Sequence, residues 1–219
     1  MDRKEIKELA KSKIKGNLWD ILWPLIVILV LEIFVSRIFG VETINININD
    51  LSTLTDLNVS PSNYLGNGLV AIIFGVINAG YLKYILNFVR TSKFEVNDII
   101  DTIKEKWVNI LISVILVSVI VAFASLLLVV PGIILGLAYS FAVYLVIDTD
   151  VAGNDSLKMS REMMEGYKWD YFVFNLSFIG WFLLLPFTLF ILLIWLVPYV
   201  TVADAIYYDK LKDKTSKKK

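Results

Sequence analysis

Long apolar stretches alternate with short charged stretches along this chain. The first apolar block covers residues 18–39, the second covers about 67–89, and two longer blocks cover 107–148 and 171–208. A membrane core about 30 Å thick needs ~20 helical residues per crossing. The first two blocks therefore predict one crossing each, and the last two predict two each. The pattern predicts an all-α, polytopic transmembrane helical bundle of about six crossings, arranged as three hairpins.

The charged stretches that precede the hairpins have apolar residues at helical spacing. Residues 1–17 place Ile6 and Ile14 among Lys and Glu, which predicts an amphipathic arm lying on the inner membrane surface. Two further inner-surface helices are predicted, one before Trp107 and one over residues 154–167. Three hairpins that each follow such a helix suggest a repeat of organisation, although residue identity alone does not support it.

Polar residues or prolines mark the turns between the predicted crossings. Residues 39–66 are polar and are predicted to form a short strand followed by an extracellular loop. Pro131 and Gly132 lie near the middle of the third block and predict a hairpin turn there. The last block is expected to turn near residues 186–190, and Pro198 is expected to kink or interrupt the sixth helix.

The basic residues predict the orientation of the chain. Of the 21 Lys and Arg residues, all but Arg37 and Lys83 lie in segments that share one side of the membrane in the six-crossing arrangement, and residues 39–66 contain none. Loops rich in Lys and Arg stay in the cytoplasm. We therefore expect both termini to be cytoplasmic, with residues 209–219 as a basic tail, and a single integral membrane domain over residues 1–219.

Composition supports a membrane protein and excludes most catalytic chemistry. The chain is 57% apolar, too apolar for a soluble domain, and has 21 acidic residues against 21 basic ones. It has no cysteine and no histidine, which excludes disulfides, thiolate or imidazole metal sites and His-dependent catalysis. We expect a protein that is not an enzyme, has no metal or other cofactor, and does not bind nucleic acid.

Ionisable residues inside the apolar blocks form a candidate intramembrane polar site: Glu32, Lys83 and Asp204. Lys83 and Asp204 are at similar predicted depth and could pair, although a lysine that extends to the interface, or a purely structural pair, is favoured over a role in transport or proton relay. Glu32 could be a proton or cation site, or could pair with Arg37 or with a polar group of a neighbouring helix.

The segment around Arg161 and Lys168 is a second candidate site, this time at the inner surface. These two bases could contact a lipid headgroup or a protein partner. Alternatively, the segment is an elbow that sets the angle between a surface helix and the next crossing, since Gly166 and its aromatic neighbours suit an interfacial turn.

Several runs of the chain carry a family resemblance: DRKEIKELAKSKIKGNLW, VVPGIILGLAYSFAVYLVID, SLKMSREMMEGYKWDYFVFNLSFIGW and LVPYVTVADAIYYDKL. They resemble an uncharacterised family of bacterial membrane proteins, domain of unknown function 975, over nearly the whole chain. The resemblance implies a multi-helix fold in the cytoplasmic membrane and a bacterial source, since the family occurs mainly in Gram-positive bacteria. It implies no established activity, so no functional residue is carried over. Asp204 departs from the small apolar residue expected at its position.

Two hypotheses for the function follow. The first is a non-enzymatic membrane protein that binds a protein partner or lipid in an accessory, envelope or immunity role. The alternative is a small solute or ion transporter or channel that uses Glu32, Lys83 and Asp204. Membrane lipid is the expected partner in both cases, and a membrane protein or a second copy of the chain is a further candidate.

Overall fold

The computed structural model of the protein describes residues 1–38, 61–127, 129–188 and 191–216, and these are largely helical. In chain order the helices are α1 (Arg3–Ile14), α2 (Leu18–Ile38), α3 (Pro61–Thr91), α4 (Asn97–Leu127), α5 (Val129–Tyr139), α6 (Ala142–Asp148), α7 (Gly153–Met163), α8 (Lys168–Leu176), α9 (Ile179–Leu183) and α10 (Leu193–Ser216). A 3₁₀ turn, Pro186–Thr188, lies between α9 and α10. No strand occurs in these ranges, and the all-α helical fold is confirmed. The strand predicted after residue 39 lies outside the described residues.

Within the described ranges, four helical stretches are long and apolar enough to cross a membrane: Leu18–Ile38, Gly66–Thr91, Asn97–Leu126 and Val130–Asp148. They correspond to the first four predicted crossings and support a membrane protein. The region of the predicted fifth and sixth crossings is built differently in the described part of the chain. It consists of the short helices α8 and α9 and of α10, whose second half is charged.

Helix boundaries differ from the sequence prediction at both central turns. Residues 61–66, predicted to belong to the loop, form the first turns of α3, where a proline at the first helical position needs no N–H partner. The turn predicted at Pro131 and Gly132 is wrong, because α4 ends at Leu127 and both residues lie in the first turns of α5. Glycine is required at this close approach, since a Cβ on Gly132 would lie 2.1 Å from the Oγ of Ser125.

The C-terminal helix is longer and more continuous than predicted. Pro198 lies inside α10, which runs from Leu193 to Ser216, so of the two predicted effects of this proline, a kink or an interruption, the interruption is excluded. The region predicted as a basic tail from residue 209 continues this helix to Ser216 and places Leu211 in the core at 0% exposure. The helix continues because one side of its charged half packs against the protein.

Two elbows of the chain share a short sequence, GNLWD at residues 16–20 and GYKWD at residues 166–170. Each elbow follows an amphipathic helix, α1 or α7, and precedes an apolar helix, α2 or α8. The glycine has a positive φ in both elbows, +90° at Gly16 and +77° at Gly166. A residue with a Cβ enters this left-handed region only at a cost. The first and third hairpins therefore share this elbow in both residues and backbone, whereas residues 104–108, KEKWV, before the second hairpin have neither the glycine nor the aspartate.

The amphipathic helices connect neighbouring hairpins. The three hairpins are α2 with α3, α4 with α5 and α6, and α8 and α9 with α10. Helix α1 packs on α10, α7 packs on α4 and α6, and the first turns of α4 pack on α3, where Gly80 lies against Ile99 and Ile103. Each amphipathic segment thus packs on a hairpin other than the one that it precedes. Helix α1 precedes the first hairpin and packs on the third, α7 precedes the third and packs on the second, and the start of α4 belongs to the second and packs on the first.

The apolar stripe of α1 is buried in protein. Ile6, Ala10 and Ile14 have exposures of 0%, 0% and 2%. This arm was predicted to lie on the membrane surface through that stripe, and the structure instead packs it on α10. Contact with α10 removes this apolar stripe from water, as contact with lipid would, and removing apolar surface from water is favourable in either case.

The polar groups of α1 complete its docking. Asp2 caps the helix by accepting hydrogen bonds from the backbone N–H groups of Lys4 at 3.0 Å and Glu5 at 3.2 Å. The bond from the Glu5 N–H is the main reason that the pKa of Asp2 lies below its ordinary value. Glu5 also pairs with Lys210 of α10 at 2.6 Å, so one ion pair borders the buried stripe.

Candidate functional site

Three helices meet at a cluster of charges by the ends that lie on the side of the basic arms, here called their inner ends. Helix α3 ends near Arg90, α6 ends at Asp148, and Asp209 lies on α10. The guanidinium of Arg90 bridges the two acids: its Nε donates to Oδ1 of Asp209 at 2.8 Å, and its Nη2 donates to Oδ2 of Asp148 at 3.0 Å. A second bond joins Nη1 to the other oxygen of Asp148. This two-pronged contact is the strong form of an arginine–carboxylate pair.

Asp148 is the centre of this cluster and is almost completely buried, with its side chain 3% exposed. It also accepts a hydrogen bond from the hydroxyl of Tyr208 at 2.9 Å and one from the ammonium of Lys212. Burying a carboxylate costs free energy unless it is paired and hydrogen-bonded. The helices α3, α6 and α10 each contribute to that compensation, so the cluster holds their inner ends together.

A cleft with a volume of about 580 Å³ opens beside the charged cluster, between α6, α7 and the end of α10. Its walls combine apolar and charged side chains, among them Leu145, Met159, Met163, Glu162, Glu165 and Lys212. Lys212 is paired with Asp148 at the base of the cleft, and Glu165 is an exposed acid on its rim. The cleft could accept a ligand that is partly apolar and carries positive charge.

The cleft is held by close packing of α7 on α4. A Cβ on Gly153 would lie 2.3 Å from the backbone oxygen of Asn109, so only glycine fits this contact. Three residues later, the hydroxyl of Ser156 is 3.0 Å from that of Ser113, and both side chains are fully buried. The hydroxyl of Ser160 then donates to the backbone oxygen of Ala138 at 2.9 Å. These contacts fix one wall of the cleft.

Asp204 lies on α10 inside a group of aromatic rings. The hydroxyl of Tyr171 donates to its Oδ1 at 3.2 Å, and the carboxylate is half-buried. The ring of Tyr171 lies 4.9 Å from those of Phe141 and Tyr207, centroid to centroid. Asp204 is thus a polar group in a largely apolar setting.

Lys83 and Asp204 do not form an ion pair. Lys83 is half-buried on α3, and among the described residues it makes no ion pair at all. Its strongest interactions with other charges are with Asp148 and Arg90 of the inner cluster. The ammonium therefore extends towards the inner end of the bundle, as a lysine near a membrane interface can.

The remaining sequence-predicted residues are separated from one another. Glu32 is half-buried on α2, between the exposed Leu31 and Ile33, and no ion pair to it occurs within the described ranges. Arg161 is exposed on α7 and Lys168 is half-buried at the start of α8. Neither base lines the cleft. The structure thus brings none of the five predicted residues together.

Sequence reasoning missed the charged cluster, although its signal is visible in hindsight. Arg90, Asp148 and Asp209 each follow an apolar block and end a predicted inward crossing. Opposite charges at equivalent ends of crossings indicate a possible meeting point. In the described part of the chain, no group of three acidic side chains is arranged to hold a metal ion.

Comparison with known proteins identifies the family but not an activity. A family model described as "Protein of unknown function (DUF975)" matches residues 1–135 and 113–215, which together cover nearly all of the 219 residues. One GxxWD elbow lies in each matched stretch. No curated protein and no solved structure shows significant similarity to the chain. The chain belongs to this family of proteins of unknown function, DUF975.

Proposed function

We propose that this protein is a non-enzymatic accessory protein of the bacterial cytoplasmic membrane, and that it binds a partner protein in the cleft between α6, α7 and α10. The observation that carries the proposal is the cleft itself, about 580 Å³ in volume and lined by both methionines and glutamates. It lies on the side of the basic arms, which favours a cytoplasmic position for the cleft and for both termini.

The chemistry of the cleft favours a basic, amphipathic segment as its ligand. Met159 is 37% exposed and Met163 is 6% exposed, both in the wall of the cleft, and flexible thioether side chains adapt to varied apolar partners. The exposed Glu165 on the rim favours positive charge on the incoming segment. A helix or turn with apolar residues on one side and Lys or Arg on the other would fit both properties.

Site-specific photocrosslinking tests this proposal. A photoreactive residue at Met159 is expected to give a discrete protein adduct in living cells, identified by mass spectrometry. The charge reversal Glu165→Lys, on the exposed rim, is expected to abolish the adduct without changing the amount of folded protein. A photoreactive residue at Val119, 60% exposed on α4 and outside the cleft, is the matched control.

The alternative outcomes are informative. If the Met159 adduct forms to the same extent in Glu165→Lys, or if a photoreactive residue at Val119 gives the same adduct, the proposed binding of a basic segment in the cleft is wrong. Adducts with lipid alone at Met159 would replace the protein partner by a lipid ligand, as the first hypothesis from the sequence also allows.

A transporter that uses Asp204 is the second candidate. The supporting observation is a half-buried carboxylate among aromatic rings, with a hydrogen bond from the hydroxyl of Tyr171. Solute or ion flux measured in liposomes would be lost in Asp204→Asn. It would be kept in Asp213→Asn, because Asp213 is an exposed acid on the same helix. Equal flux in both variants would exclude a role for Asp204 in transport.

A further inference from the structure

Trp19, Trp107 and Trp169 are the most exposed tryptophans in the described part of the chain, at 68%, 52% and 73%. Each comes from a different hairpin, and each lies where an amphipathic segment passes into an apolar one. Trp19 and Trp169 occupy the same position of the repeated GxxWD elbow. A large apolar ring that is repeatedly left exposed at one kind of position points to an interaction surface.

The neighbours of these tryptophans bond to the inner ends of the returning helices. The backbone oxygen of Asp20 accepts a bond from the hydroxyl of Tyr84 on α3 at 2.8 Å. The ammonium of Lys106 donates to the backbone oxygen of Thr149, directly after α6, at 3.0 Å. The carboxylate of Asp170 accepts from the hydroxyl of Tyr207 on α10 at 3.0 Å.

These inner ends lie close together, because Arg90 ties Asp148 and Asp209 to α3. Tyr84 is the farthest of the three contacts from the cluster, and its six-residue separation from Arg90 corresponds to about 9 Å along a helix. The three tryptophans therefore lie within about 9 Å of one another in height along the bundle, less than the thickness of one headgroup region plus the adjacent acyl-chain boundary.

Side chains change character at this height. On one side lie the charged arms, with Lys13 and Lys15 just before Trp19 and Lys104 just before Trp107. On the other side the same helices expose apolar residues, such as Val30 at 57% on α2 and Val119 at 60% on α4. Indole rings favour the boundary between hydrocarbon and headgroups, where the ring is in the apolar part and its N–H reaches polar groups.

We infer that Trp19, Trp107 and Trp169 form a three-point contact with the headgroup region of the membrane on the side of the basic arms. Three contacts define a plane, so this set fixes both the depth of the bundle and its tilt. The inference concerns the lipid surface and does not depend on the proposed protein partner.

Fluorescence quenching in reconstituted membranes tests the inference. Full-length variants keep one tryptophan each, with the others replaced by phenylalanine, in phosphatidylcholine vesicles that carry bromine either near the headgroup or near the methyl end of the acyl chain. All three are expected to show a shallow-to-deep quenching ratio well above unity. The matched control is Val30→Trp in the tryptophan-free background. Position 30 lies about 16 Å further along α2 than Trp19, so this variant should show a quenching ratio below unity.

A ratio like that of the Val30→Trp control at any of the three positions, or no quenching by either lipid, would overturn the three-point contact. If the multiple replacements unfold the chain, the natural absence of cysteine provides a second route. A nitroxide on a single cysteine at residue 19, 107 or 169 reports the same depth through its relative accessibility to oxygen and to a water-soluble nickel chelate. Ratios typical of the headgroup region are expected at all three positions, and a ratio like that of a nitroxide at residue 30 at any of them would overturn the three-point contact.

Discussion

Gly16 and Gly166 adopt the same left-handed backbone conformation at equivalent positions of two elbows, and each is followed three residues later by Trp and Asp. A Cβ at either position would meet nothing within 4 Å. The requirement for glycine is therefore conformational and does not come from crowding.

Alanine at either elbow is expected to destabilise the protein by about 1 to 2 kcal/mol, the cost of the left-handed conformation for a residue with a Cβ. The free energy of unfolding can be followed by circular dichroism in mixed detergent micelles. Gly68→Ala is the control, because this glycine also has open space around it but lies inside α3. There alanine should stabilise by roughly 0.5 to 1 kcal/mol, and a loss of stability equal to that at the elbows would contradict the conformational explanation.

Asp148→Asn is expected to cost roughly 3 kcal/mol of stability, because it leaves Lys212 and one side of Arg90 without a buried partner. Asp150→Asn is the matched control. Asp150 also pairs with a lysine, Lys106, but is 99% exposed, so its loss should cost no more than about 1 kcal/mol. Similar losses in the two variants, measured by unfolding in mixed micelles, would show that the cluster does not hold the helix ends together.

Cysteines in place of Ser113 and Ser156 are expected to form a disulfide on mild oxidation, because the two hydroxyl oxygens are 3.0 Å apart and the chain has no other cysteine. Adding Gly153→Ala should lower the yield of the cross-link, since the new Cβ would push α7 away from Asn109. Gly136→Ala, whose Cβ would meet its nearest neighbour at 4.0 Å, should leave the yield unchanged. Non-reducing gel mobility measures the yield, and an unaffected cross-link in Gly153→Ala would contradict the close α4–α7 contact.

The effects of Lys83→Met and Asp204→Asn on stability are expected to add, with a coupling energy below about 0.5 kcal/mol, as for residues without a shared contact. A double-mutant cycle between Tyr171→Phe and Asp204→Asn should instead give a coupling of about 1 kcal/mol, since these two residues share a hydrogen bond. The transport alternative based on a Lys83–Asp204 pair would regain support only if the first cycle showed the larger coupling.

The helical fold could be predicted from sequence because its signals are local. Apolar blocks of about twenty residues predict crossings wherever they occur, and the stripe that contains Ile6 and Ile14 predicts an amphipathic helix. The surface that this stripe contacts could not be predicted, since a lipid interface and a protein surface select the same spacing of apolar residues. The end of the third crossing was placed too late for a similar reason. The turn was predicted at Pro131 whereas α4 ends at Leu127, because proline marks turns and also the first turn of a helix.

The charged cluster could not be predicted because it depends on packing between distant parts of the chain. Arg90, Asp148 and Asp209 come from separate hairpins, and their meeting requires the inner ends of α3, α6 and α10 to converge. Within the sequence, Arg90 is only one of many bases on the inner side. Lys83 and Asp204 are more conspicuous in the sequence because they interrupt apolar blocks. In the structure, the long side chain of Lys83 and the hydroxyl of Tyr171 beside Asp204 accommodate the two residues separately.

The docking of α1 on α10 constrains how the protein is made. The ribosome releases the first helix of the described chain long before the last, so the face formed by Ile6, Ala10 and Ile14 has no partner during most of synthesis. Until α10 emerges, this face must be covered by lipid or by an insertion factor. An unfinished chain therefore carries an apolar arm without its protein partner. Such an arm is the kind of signal by which membrane proteases and chaperones distinguish incomplete proteins from finished ones.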